Sequence, residues 1–420
     1  MMNRGWVSLA PRLRHVAPFD GIRGFGVLGV MAGHALPDAT LSFSAIVDVF
    51  FVISGFLITT LLLQEHRETG RVDVKKFYAR RLLRLLPALW VMLAGTVVIG
   101  VLIKQMGHNT PVQTLSELAK EVVASALYIH NIVYPANDGP WIDHLWTLSI
   151  EEQFYLAIGL VALVFIVKGR IRAVTAILVA LTAAVQLSRL FVFAGPLKEV
   201  AGAVWLQRPD SLMVGMIGAI ISAHIPEEAP ERTRKILGAA GYVAIPVLFF
   251  SVWASTGLMR TLGWNHEYLP EGFRDLLSSG TRPSGFYWFQ WGNTAANWAM
   301  MTITLCAFRL PDWLPNRFLA MRFFVWTGGL LSYSLYLWHV PIQELVHGPL
   351  GLDRNGLGGV VPRPLWVVLA ISLPFLVAYP SYKYVEIRAI KLKDRFAVTS
   401  ASSATSVAAT STASDAGDPR

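Results

Sequence analysis

The sequence predicts an all-α, polytopic membrane protein with about ten transmembrane helices, and three observations carry that prediction. Of its 420 residues, 54% are hydrophobic and only 15% charged, against roughly 45–50% and 25% in a soluble domain. Apolar runs of about 18 to 22 residues recur along the chain, each ended by a charge, Pro or Gly. Lysine and arginine are shared unevenly between the connections, as orientation in a bilayer requires. A soluble globule of this length is thereby excluded.

The first run, about 19–38, carries Arg23 and His34 and lacks a small-x-small pair at its far end, so it reads as a retained span and not a cleaved signal. The second, about 43–63, has Asp48 in its first turns. A dense basic block follows (Arg67, Arg71, Lys75, Lys76, Arg80, Arg81, Arg84). It precedes a third span at about 85–103, which opens on Pro-Ala-Leu-Trp. A long segment, about 104–145, holds an amphipathic stretch (Leu115, Leu118, Val122, Val123, Ala126). The fourth span, about 146–167, starts with Ser149, Glu151 and Glu152. Spans at about 173–194, 210–225 and 236–256 come next, with Arg208 and Asp210 at the outer end of the sixth. A second long segment, about 257–286, leads to the last three spans, about 287–308, 323–346 and 364–385. From about Val398 the chain is almost wholly Ala, Ser, Thr, Asp and Gly, too polar and small to bury a core. The expected division is a cytoplasmic N-terminal segment 1–18, a membrane domain 19–390 and a disordered cytoplasmic tail 391–420.

An even number of spans puts both termini on one side. With the N-terminus inside, basic residues favour the inner connections by roughly 2.5 to 1, so both termini are expected to be cytoplasmic and the protein to lie in the plasma membrane. The net charge of +9 is accounted for by this asymmetry, and no nucleic-acid partner is expected. The single cysteine, Cys306, rules out a disulfide framework or a cysteine-based zinc site, and its apolar span makes it a poor nucleophile.

Ionisable side chains inside hydrocarbon cost at least about 2.5 kcal/mol each on insertion scales, so several at one depth mark a site. Arg23 and His34 are eleven residues apart, about 16 Å of helical rise and three turns, hence on one face. His34 falls about 22 Å from the inner edge, and His339, on a span running outward, reaches the same level. Asp48, Ser149, Glu151 and Glu152 enter from outside, the last three about 5 to 9 Å below the outer edge. Any one of these is equally readable as a packed or snorkelling residue; their common depth argues otherwise. Glu151 and Glu152 are about 100° apart on a helix, so one of them faces the site fully, and Glu152 shares a stripe with Ser149. Arg81 and Arg84 share a face beside the bilayer, suited to anchoring or to the phosphates of an anionic cytoplasmic ligand.

In order, these pieces resemble the acyltransferase-3 family of integral membrane acyltransferases, over about residues 19 to 388. "FDGIRGFGVLGVMAGHA" is similar to its first-helix signature, a basic residue followed after ten residues by His, here Arg23 and His34. "VDVFFVISGFLIT" resembles the second-helix block and "FYARRLLRLLPALW" the RxxR block, here Arg81 and Arg84. "HLWTLSIEEQFYL", "RPDSLMVGMIGA" and "LSYSLYLWHVPI" resemble the fourth-helix, Arg-x-Asp and penultimate-helix blocks. Six blocks in one order are far more specific than the spaced Arg–His pair alone.

The resemblance implies transfer of an acyl group, often acetyl, from cytoplasmic acyl-CoA to a hydroxyl of a carbohydrate, glycolipid or other envelope acceptor. Acyl-CoA is then a co-substrate, with no permanently bound cofactor and no metal expected. Some relatives add an SGNH-type domain after the membrane part; the roughly thirty residues after the last span are too few for one, so the membrane domain is expected to complete the transfer. The expected roles are His34 as general base, Glu152 or Asp48 orienting it, Arg23 holding the donor or polarising its thioester, and Arg81 with Arg84 on the CoA phosphates. Ser149, Glu151, Arg208, Asp210, Tyr336 and His339 are expected to line the acceptor pocket. A covalent intermediate on His34 or Ser149 stays open. So do a secondary transporter or lipid flippase, and a ligase or polymerase of lipid-linked sugars using Arg208 and Asp210.

Overall fold

The computed structural model describes residues 7–35, 44–105, 114–135, 139–161, 170–189, 200, 204, 207–254, 288–347 and 363–393, and among them there are helices and turns but no strands. The longer elements are α1 (Ala17–Ala35), α2 (Ser44–Thr69), α3 (Val74–Gln105), α4 (Leu115–Ala126), the short α5 (His130–Val133) and α6 (Trp146–Val161). They continue with α7 (Ile171–Ser188), α8 (Pro209–His224), α9 (Glu231–Ala254), α10 (Trp288–Arg309) and the short α11 (Pro315–Leu319). Two composite helices finish the chain. In each, a π-helical turn (Thr327–Leu331, Tyr382–Glu386) joins two α-helical parts: α12 (Arg322–Trp326) to α13 (Ser332–His347), and α14 (Arg363–Ser381) to α15 (Ile387–Lys393).

A helix lies in each of the ten expected stretches, but five are long and apolar enough to cross a membrane: Ile46–Thr69, Val74–Gln105, Ile171–Ser188, Glu231–Ser251 and Leu365–Leu392. The all-α class is thus observed, while the count of ten is not reached on this criterion. Two helices show why. α1 is diluted by five glycines together with Asp20, Arg23 and His34. α8 has only 16 residues, about 24 Å, and thirteen of them are buried, so it is apolar on every side and sits inside the bundle.

Close approach of backbones brings these polar helices into the core. α8 packs along α2 through Gly55 and Gly215, where an added Cβ would collide with the carbonyl oxygens of Leu212 and Val52. α1 packs against the α12 segment and its π-turn in the same way: Gly24 faces the Phe324 carbonyl and Gly328 that of Asp20. The other end of α1 meets α13 and α14 in a cluster of Ala35, Trp338, Val346 and Trp366. Cys306, fully buried on α10, donates to the Leu237 carbonyl at 3.1 Å, a structural role.

The segment before α1 is tied to the bundle by Leu9 N–H on the Ala223 carbonyl (2.8 Å) and by Arg67 on that of Ala10 (2.7 Å). α15 runs to Lys393, so the expected tail begins inside a helix; positions 394–420 lie outside the described residues, as does the whole of 257–286. Within 104–145, α4 is the expected amphipathic helix, started by a capping box between Thr114 and Glu117.

Candidate active site

Arg81 lies at the centre of a buried polar knot between α2, α3 and α6. Its Nε is 2.7 Å from Glu152 Oε1, its Nη2 3.4 Å from Glu151 Oε1, and its guanidinium stacks 3.2 Å above the Tyr155 ring. Glu151 also accepts hydrogen bonds from Ser54 and Tyr155. Sequence reasoning put the arginine on the inner surface, the acids near the outer edge, and only one acid facing inward. The structure corrects both points. α3 begins at Val74, so Arg81 is already about two turns into a helix, and Glu152 is about 9 Å along α6, so the two meet. A guanidinium fork is wide enough to engage two carboxylates 100° apart.

One turn further along α3, Arg84 lies in the field of Arg23, Arg81 and Glu386. Glu386, brought inward at the end of the second π-turn, accepts a hydrogen bond from Ser334. Sequence reading did not single it out; an acid in the last turns of an apolar helix was the available signal. Arg23, Arg81 and Arg84 line a cavity of about 510 Å3 whose far wall contains Thr147 and Tyr336. This space runs from the arginines to Tyr336, whose ring packs against His144 and His339.

Three histidines meet at that second end. The ring centroid of His339 lies 5.0 Å from His34 and 4.9 Å from His144, and Tyr336 packs 5.6 Å from His339 and 5.4 Å from His144. The Tyr336 hydroxyl donates to the His144 carbonyl at 2.5 Å and therefore accepts from Thr147 at 2.6 Å. His339 Nδ1 faces the Tyr336 carbonyl at 2.7 Å, which requires the proton on Nδ1; in the neutral ring Nε2 is then a bare acceptor, without a partner among the described residues. His34 is exposed and His339 fully buried. His144 is not singled out by the sequence because it precedes the fourth apolar span by two residues; its place at the head of the HLWTLSIEEQFYL segment is the signal that could have found it.

Asp48, Arg208 and Asp210 belong to a different network. Asp48 accepts from Ser211 at 2.9 Å and faces Arg208 Nη1 at 3.7 Å, while Asp210 takes a two-pronged contact from Arg189 (3.0 and 2.9 Å) and a third from Asn297 (3.2 Å). All are buried, so charge is balanced by charge inside the bundle. Asp48 was expected to orient His34; the partners it has are Ser211 and Arg208. Glu152, the other expected partner, is held by Arg81. Ser149, expected in the acceptor pocket, is occupied: it accepts the His130 amide at 3.1 Å and donates to the Leu145 carbonyl at 3.3 Å, fastening α5 to α6. Among the described residues no group of three or more His, Cys, Asp or Glu is arranged to hold a metal ion.

A bundle of largely apolar helices thus carries an arginine–carboxylate knot at one end of a cavity and a histidine cluster behind Tyr336 at the other. The chain belongs to the Acyl_transf_3 family: residues 16–383 match its acyltransferase domain. It is similar to O-acetyltransferase OatA of Staphylococcus aureus, 26% identical over 391 residues, which cover 89% of this chain and 57% of that one. It is also 25% identical over 397 residues to the putative O-acetyltransferase SACOL0978 of S. aureus strain COL, with the same coverage. The chain thus spans little more than half the length of the curated relatives it matches. No solved structure matches it.

Proposed function

We propose that the protein takes an acyl group, acetyl in the first instance, from acyl-CoA on the cytoplasmic side and passes it to a hydroxyl of a carbohydrate, glycolipid or other envelope acceptor on the far side. The observation that carries this reading is the cavity joining Arg81 and Arg84 to Tyr336, with the histidine cluster behind its far wall. The names of the S. aureus relatives favour acetyl as the group and oxygen as the acceptor atom.

Transfer from a thioester to an alcohol needs a base for the hydroxyl proton and an anchor for the donor's phosphates. His34 is the base: it is open to an acceptor and packs on His339, whose Nε2 has no hydrogen-bond partner among the described residues. The acceptor oxygen attacks the thioester carbonyl as its proton moves to the imidazole, and the tetrahedral adduct collapses with departure of the CoA thiolate. Tyr336 acts through position, its proton being committed to the His144 carbonyl. Arg23 stands about 16 Å from His34 along α1, close to the length of an extended pantetheine arm, so it holds the donor and does not polarise the thioester. Arg81, neutralised by Glu151 and Glu152, shapes the cavity wall beside Arg84.

The test is transfer of labelled acetyl from acetyl-CoA in inside-out vesicles, read as an alkali-labile ester on an envelope fraction. Ester formation that depends on the protein supports the reading. Its absence, with translocation of an unmodified lipid or sugar instead, would leave a transporter or flippase; sugar transfer from a lipid diphosphate would leave a ligase.

A further inference from the structure

Three arginines from three different helices converge on a second cleft, of about 590 Å3, which opens beside the interior cavity. Arg23 comes from α1, Arg84 from α3 and Arg322 from the first residue of α12. Among the described residues, none of the three has an ion-pair or hydrogen-bond partner. The acid in the cleft, Asp20, is already held at 2.7 Å by His15. Two of these guanidinium groups are partly buried, and Glu386, the acid whose field reaches Arg23 and Arg84, forms no ion pair with either, so three positive charges share the cleft without a carboxylate in contact among the described residues. The interior cavity differs: its basic residues Arg80 and Arg81 are matched at 3.6 Å by Glu65 and at 2.7 Å by Glu152.

We infer that this cleft binds the phosphate-bearing nucleotide of the acyl donor, and that Arg322 is a phosphate ligand. Arg23 and Arg84 line both spaces, so phosphates held by them leave the pantetheine arm directed between the two side chains into the interior cavity. The inference rests on the acyl-CoA reading and adds to it a second compartment and a third arginine. A headgroup of an anionic lipid would offer the same phosphate chemistry. The donor is favoured because the cleft continues, through its own two arginines, into the space that ends at Tyr336.

The experiment measures binding of acetyl-CoA and of S-acetyl-pantetheine, which lacks the nucleotide, to the purified full chain in neutral detergent. Arg322 is exposed, so Arg322→Glu does not endanger folding; Arg317→Glu, exposed on the neighbouring α11, is the matched charge control. Arg322→Glu is expected to weaken acetyl-CoA about tenfold or more, to change S-acetyl-pantetheine less than about twofold, and Arg317→Glu to change neither by more than about twofold. Equal loss for both ligands, or no loss for acetyl-CoA, overturns the placement. Loss of binding to phosphatidylglycerol micelles with acetyl-CoA affinity intact assigns the cleft to lipid and also overturns it. If the unaltered protein binds no acetyl-CoA, the donor reading falls together with this one.

Discussion

His34 and His339 meet edge to face where α1 crosses α13, their ring centroids 5.0 Å apart and their planes at 65°. One ring is exposed and the other has no solvent contact, so an acceptor outside the bundle reaches the first and not the second.

If His34 removes the acceptor proton, His34→Ala lowers transfer by about 100-fold or more at unchanged protein level, and His34→Gln is nearly as poor because an amide does not accept the proton. His339→Ala costs less, about tenfold. Turnover of labelled acetyl-CoA in vesicles measures all three, and a greater loss at His339 than at His34 moves the base to its Nε2.

Arg81→Ala strands Glu151 and Glu152 as neighbouring carboxylates. Their side chains are 16% and 13% exposed, so after allowance for screening the loss is on the order of 2 kcal/mol. A fall in thermal midpoint in detergent, partly restored by adding Glu152→Gln, is the expected result. A midpoint that does not move would mean the knot adds nothing to stability.

Ser149→Ala removes two hydrogen bonds to backbone and no reacting group. It should cost about 1 kcal/mol of stability while keeping most of the turnover. Complete loss of transfer in a protein that still folds would return Ser149 to the chemistry as an acyl carrier.

The basic asymmetry predicts an orientation that labelling can check. A cysteine at exposed Leu127, in a Cys306→Ala background, is expected to react with an impermeant maleimide in intact cells, and one at Arg317 only after lysis. The opposite pattern would invert the whole molecule and put the arginine cleft outside.

The helices were legible because apolar runs report burial directly, and the common depth of His34 and His339 because rise per residue converts sequence position into depth. What the sequence left hidden were partners across helices. Arg189 sits in an apolar run with nothing nearby to pair with, and only the packing of α7 against α8 brings it to Asp210. Arg81 reads as a surface residue because a hydropathy run starts after the last charge, whereas the helix starts about three turns earlier. Glu152 was paired with the wrong residue for the same reason.

The turn at Thr327–Leu331 closes hydrogen bonds one residue wider than an α-helix does, and everything after it is phased accordingly. If the same residues instead formed an unbroken α-helix, Tyr336 and His339 would be rotated by about 100° away from His144 and His34. Every side chain named in the reaction would still be present, yet the two halves of the cluster would look in different directions. The width of this one turn is therefore an axis of variation separate from substitution: it sets the angle between the interior cavity and the histidine cluster without changing a single functional group.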